Sequence, residues 1–167
     1  MQLISSVSVG VGGAATIDLT SIPSTYTDLM LVLSARATST TATITVAFNG
    51  SSASFTNLNM EGNPSYGVTS ATGTTLVGRA SISTDTASTF GNLSIYIPNY
   101  TGSANKNFSV DAVTENNATT AYTQIFTGVW ANTAAITQIT LSLANFSQYS
   151  NAYLYGILKG SGGATVS

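Results

Sequence analysis

Ile22-Pro23-Ser24-Thr25-Tyr26-Thr27-Asp28-Leu29-Met30-Leu31-Val32-Leu33-Ser34-Ala35-Arg36 is the stretch that decides the fold. Pro23 fixes its own φ and pushes Ile22 into an extended conformation, so the stretch opens as a turn. It continues as a strand, with Leu29, Leu31, Leu33 and Ala35 on one face and Asp28, Ser34 and Arg36 on the other. Met30 and Val32 make that second face partly apolar as well. A strand apolar on both sides belongs in the middle of a sheet or between two layers.

Shorter strands are expected around it. Leu3, Ser5, Val7, Val9 and Val11 share one face of a first strand, which Gly12-Gly13 breaks; Ile17 and Leu19 belong to a second. Ala42 to Asn49 alternates cleanly and ends in the Asn49-Gly50 turn signal, two residues that tolerate positive φ. Ser51 to Thr75 shows no regular alternation and reads as the longest loop. Further strands are expected at Leu76–Ile82, Phe90–Ile97, from Lys106, over Thr120–Trp130, at Ile139–Leu143 and over Ala152–Lys159. A turn over Asn145–Asn151 carries Phe146 and Tyr149. About ten strands with turns every 8–12 residues and no helical spacing predict an all-β, single-domain, antiparallel sandwich of jelly-roll type. That domain spans 1–160, and residues 161–167 form a small-residue tail, flexible unless a partner orders it.

Composition narrows the chemistry. The 167 residues contain no Cys, which excludes disulfides and thiolate metal sites, and no His, the commonest general base and metal ligand. Charged residues make up 6 % and the net charge is −2, so there is no basic field for nucleic acid. The 27 Thr, 23 Ser and 13 Asn give a polar but neutral surface. Neutral surfaces associate readily, because little repulsion keeps copies apart, and salt hardly screens their hydrogen bonds. The longest purely apolar run, Leu29–Leu33, is far shorter than a membrane-spanning helix, so no membrane partner is expected. The N-terminus reads as a strand rather than a signal peptide, which predicts synthesis in a cytoplasm.

Six carboxylates, Asp18, Asp28, Glu61, Asp85, Asp111 and Glu115, are available for acid–base work. Asp111 and Glu115 share a strand face but stand about 13 Å apart at strand rise, too far for one catalytic pair. Oxygen-only Ca²⁺ sites from Asp85, Glu61 and Asn side chains lack EF-hand spacing, and no serine hydrolase motif occurs. The chain is therefore expected not to be an enzyme and to have no catalytic, cofactor-binding or metal residues. Arg36 is expected to pair with Asp28 or Asp111, or with a neighbouring subunit. Tyrosines serve equally as core, as sugar platforms or as interface. The candidate interface comprises Met1, Leu3, Val7, Tyr96, Tyr100, Tyr149 and Tyr153.

The Ile22-Pro23-x-x-Tyr26-x-x-Leu29 corner, running into a strand that ends in Arg36, resembles small virion proteins of tailed bacteriophages. Phe48-Asn49-Gly50, Ile97-Pro98-Asn99-Tyr100, Trp130, Ile136-Thr137-Gln138-Ile139-Thr140-Leu141 and Tyr153-Leu154-Tyr155-Gly156-Ile157 fit in order, so the resemblance covers about residues 15–158. It departs from the family in the loop after Gly50, where an Asn-Tyr pair is missing. The resemblance implies a jelly-roll-like sandwich in a phage particle. One reading is a capsid decoration (cement) protein, a homotrimer bound to the major capsid protein on the outer lattice and stabilising the head by mass action. A short chain opening at Met1 without coiled coil or stalk is expected of that role, with Met1–Val11 and the C-terminal tail as contact surfaces. The alternative is a tail-fibre or receptor-binding protein that holds host polysaccharide. The purified protein is predicted to melt at the same temperature with and without EDTA; a large drop on chelation would overturn the metal-free expectation.

Overall fold

The strand expected after Pro23 runs Asp28–Ala35, with Leu29, Leu31, Leu33 and Ala35 buried at 0–1 % exposure and Asp28, Met30, Val32 and Ser34 on the opposite face. The computed structural model describes residues 1–62, 67–72, 75–115 and 121–158. Within them lie twelve strands: β1 (Gln2–Ser8), β2 (Ala14–Leu19), β3 (Asp28–Ala35), β4 (Thr43–Phe48), β5 (Phe55–Gly62), β6 (Gly67–Thr72), β7 (Leu76–Arg79), β8 (Gly91–Ile97), β9 (Lys106–Glu115), β10 (Ala121–Trp130), β11 (Ile139–Phe146) and β12 (Asn151–Ile157). They form two antiparallel sheets, an eight-stranded one in the order β1-β12-β3-β8-β9-β10-β5-β6 and a four-stranded one in the order β2-β11-β4-β7.

The order has a simple logic. Each of β1, β2, β3 and β4 pairs within its own sheet with a strand from later in the chain, β12, β11, β8 and β7 respectively. Successive strands of this set alternate between the sheets. A long antiparallel ribbon rolled over itself into two layers is a jelly roll, so the expected fold class holds. β9, β10, β5 and β6 then widen the larger sheet beyond β8.

The inward faces make one continuous core of Ile, Leu, Val and aromatic side chains. Under the widened part of the large sheet the core is aromatic. Phe48 of the small sheet meets Phe55, Phe108 and Trp130 of the large one, with ring centroids 5.3, 5.8 and 5.5 Å away. Tilted and edge-on contacts of this kind add to the area buried. Gly128 is required here: a Cβ would drive into the Phe108 ring. At the other end Tyr26 lies over Gly156 for the same reason. The Asn49-Gly50 turn adopts the positive φ values expected of it, 52° and 73°. The Asn49 side chain fixes that turn to the β10–β11 connection, accepting from the Thr137 and Gln138 N–H groups at 2.8 and 3.1 Å.

Four local expectations are corrected. The Ser51–Thr75 segment contains the β5–β6 hairpin rather than a loop; its Thr, Asn and Gly content hides the alternation, and pairing to β10 holds it as a strand. A register shift between Leu3 and Ser5 inserts a bulge in β1. Leu3 consequently points out of the sandwich while Val7 packs against the core, because one extra residue flips the facing of a strand. Phe146 closes β11 as a fully buried core residue instead of lying in a turn. Tyr100, expected on the surface, is buried at 0 % exposure, and its hydroxyl donates to the Pro23 carbonyl. The Glu115-Asn116-Asn117 turn and the tail over 161–167 fall largely or wholly outside the described residues.

Burial pushes the Tyr100 phenol above its ordinary value of 10.0. A raised folded value means stability that is fully present below about pH 10 and lost as pH rises through it. Tyr100→Phe is predicted to cost about 1–2 kcal/mol by urea unfolding at neutral pH, from the orphaned Pro23 carbonyl. Above pH 10 the wild type should lose stability more steeply than the variant; parallel pH profiles would contradict the assignment.

Candidate interaction surface

Outward-facing residues of the large sheet line up across strands because the register is continuous. One row runs Leu3–Tyr155–Met30–Tyr96–Ser109–Thr127–Leu58. The next runs Ser6–Tyr153–Val32–Ser94–Asp111–Ile125–Met60. The end made by β1, β12 and β3 therefore brings Leu3, Tyr155, Met30, Tyr153 and Val32 into one apolar patch. Leu3, Val32 and Tyr153 remain 50, 38 and 37 % exposed, and Met1, beside them at the start of β1, is 82 % exposed.

The sequence-derived interface residues divide accordingly. Leu3 and Tyr153 share the patch, and Tyr96 lies on the same face one strand further, on β8. Val7 and Tyr100 do not belong to it. Tyr149 is exposed in the β11–β12 turn at φ 71°, away from the sheet face. Met30 and Val32 join the patch without being interface candidates from the sequence, and Tyr155 joins it as one of the tyrosines weighed for a platform or an interface. The signal for the first two was present, since they make the second face of β3 partly apolar.

Tyr96 is held rigidly. Its hydroxyl donates to Asp28 Oδ2 at 2.9 Å, and Asp28 Oδ1 accepts the Asn99 N–H at 2.8 Å. The hydrogen bond to the Asp28 carboxylate raises the Tyr96 phenol above its ordinary value, with desolvation and the carboxylate charge acting the same way.

No described cation projects from this face. Arg36 does not pair with Asp28 or Asp111. Its guanidinium donates to the backbone carbonyls of Thr86, Thr89, Asp85 and Ser83 at 2.9, 3.0, 3.1 and 3.4 Å. The 83–89 turn presents these four carbonyls to the guanidinium, which occupies both of its Nη groups without a carboxylate. Asp85 and Glu115 serve the same turn. Asp85 Oδ2 accepts the Ile82 N–H at 2.7 Å, and Glu115 Oε1 accepts from the Thr86 N–H and the Thr89 hydroxyl at 3.1 and 2.8 Å. Arg79 faces Glu61 at 3.7 Å and lies over the Tyr122 ring, 5.1 Å from its centroid. Lys106 is 1 % exposed, with its ammonium on the carbonyls of Gly102 and Ala104 at 2.6 Å each. Burial lowers its pKa from the ordinary 10.5. Among the described residues no three acidic side chains converge on a cation site. The charged residues thus clamp loops, and the outer sheet face is left neutral apart from Asp28, Asp111 and Glu115 on the strand positions named above.

No protein-family model, no curated protein and no solved structure matches this chain.

Arg36→Met is predicted to destabilise the fold by about 2–3 kcal/mol, since several charge-assisted bonds vanish together and leave carbonyls unpaired. Amide exchange over 82–89 should accelerate selectively in that variant. Uniform acceleration over the whole chain, or none, would show that the guanidinium does not hold the turn.

Proposed function

We propose that this chain is a structural protein of a tailed-bacteriophage particle, a capsid decoration protein that docks through the β1–β12–β3 end of its large sheet. The observation that carries the reading is the contiguous apolar patch of Leu3, Val32, Tyr153, Met30 and Tyr155 beside the exposed Met1. Exposed apolar clusters of this kind mark contact surfaces. The jelly-roll strand order agrees with what the sequence resemblance implies, and the low charge suits permanent packing against neighbours. Copies associate as homotrimers on the outer lattice of the major capsid protein. Binding to the assembled lattice alone stabilises it by mass action.

A neutral contact predicts binding that barely changes between about 0.05 and about 0.5 M salt, because there are few exposed charges to screen. The double variant Val32→Lys, Tyr153→Glu should abolish particle binding while keeping the wild-type melting temperature, since both positions are partly exposed in the free chain and the opposite charges stand directly across from one another. The direct test is cryo-electron microscopy of the particles that carry this protein. Density over the capsid in symmetric copies supports decoration. Density on the tail alone would sink it and move the chain to the tail-fibre, receptor-binding role.

A further inference from the structure

The outer face of the large sheet has a second feature at its other end. One row of the register runs from a tall residue to a tall residue over two small ones: Tyr96 of β8, Ser109 of β9, Thr127 of β10 and Leu58 of β5. Tyr96, with Pro98 beyond it, forms one wall and Leu58 the other. Ser109, Thr127 and Asn107 make the floor. The walls stand three strand spacings apart, about 14 Å, and enclose an open trough of about 730 Å³. That volume lies within the usual range for a small-molecule site.

The chemistry of the trough is specific. Its lining is predominantly apolar, supplied by Leu58, Pro98 and the Tyr96 ring. The Tyr96 ring is fixed in place by its bond to Asp28. Set into that lining are the hydroxyls of Ser109 and Thr127 and the amide of Asn107, none of which bonds to another described residue. Flat apolar walls beside uncharged donors and acceptors are what a sugar ring requires, with its C–H faces on the walls and its hydroxyls on the floor. The nearest charges are both carboxylates: Asp28, 2.9 Å from the Tyr96 hydroxyl behind one wall, and Asp111, on the same face of β9 two residues from Ser109, about 7 Å along the strand. No described cation projects from this face to accompany them. An anionic ligand would be repelled. Two copies packed face to face would bring like carboxylates together without a counter-charge. An extended peptide would find no free ladder, because the backbone of β9 and β10 is paired on both sides.

We infer that the trough over β8, β9, β10 and β5 is a binding site for an uncharged carbohydrate chain. Its floor of Ser109, Thr127 and Asn107 lies on β9 and β10, two to three strand positions beyond Met30 of the docking patch, while its Tyr96 wall is the cross-strand neighbour of Met30; the trough adjoins that patch and does not rest on it.

The test is native gel electrophoresis of the full chain through gels cast with dextran, mannan, a neutral β-glucan or a neutral galactan, with alginate as the anionic control. At least one neutral polymer should retard the wild type, and alginate should not. Ser109→Trp fills the floor and should remove the retardation while leaving the melting temperature and particle binding unchanged. Asn107→Ala should weaken it about tenfold, the usual cost of one lost partner in a desolvated contact. If Ser109→Trp fails to fold, Ser109→Gln takes its place with the same expectation. No retardation by any neutral polymer, equal retardation by alginate, or retention of binding in the filled variant would each overturn the proposal. Particle binding that survives alongside any of those results leaves the docking reading standing.

Discussion

Everything in this molecule depends on hiding the inner face of β3. Leu29, Leu31 and Leu33 are wholly buried there, each stabilising the fold by roughly 1.5–3 kcal/mol relative to exposure. A single sheet cannot cover that face, so a second layer is obligatory. The small sheet of β2, β11, β4 and β7 supplies it, and the alternation of strands between layers follows. Where the large sheet widens past β8, Phe48 reaches across to Phe55, Phe108 and Trp130. Without that aromatic bridge the β9–β10–β5 extension would keep only the short strand β7 as an inner partner.

The few charges are used for a related purpose. Arg36 and Lys106 each take several backbone carbonyls at strand ends, where loops would otherwise leave acceptors facing inward. Carbonyl arrays accept a guanidinium or an ammonium without any carboxylate, so the cations can be spent on loop closure. The sheet face is left to neutral groups and the carboxylates of Asp28, Asp111 and Glu115. Neutrality outside and cation-clamped turns within are two results of one economy in a chain with only four Lys and Arg.

The sequence was informative wherever burial imposed a period of two. β3, β4 and β8 were visible because their inward residues are apolar without a polar interruption, and β9 and β10 because Phe108, Val110 and Ala112 in one and Phe126 and Trp130 in the other dominate theirs. The β5–β6 hairpin was not visible. β5 places Asn57 inward, where its amide donates to the Leu76 carbonyl at 2.6 Å, and Leu58 and Met60 outward, so its pattern runs against the rule. The β1 bulge was equally hidden, since a one-residue insertion leaves no mark in the composition. Among the interface candidates, Tyr153 follows the alternation of β12 to the outer face, whereas Leu3 reaches that face only through the bulge. Tyr100 could not be assigned, because a tyrosine that caps a proline carbonyl and one that faces solvent look the same in one dimension. Neither the patch nor the trough is contiguous in sequence; both exist only once distant strands are in register.

The nested pairing has a consequence for how the chain reaches this state. β1 lies against β12, with Ser8 and Asn151 joined across 143 positions, and β2 likewise waits for β11. Pairings of such separation carry a large closure entropy and form late. During synthesis on the ribosome the N-terminal strands must remain without their partners until β11 and β12 have emerged. Through that interval the apolar side chains of β1 and β2 are open to wrong company, and the scarcity of charge offers little repulsion against it. The protein's vulnerability is therefore one of timing rather than of the strength of the finished core.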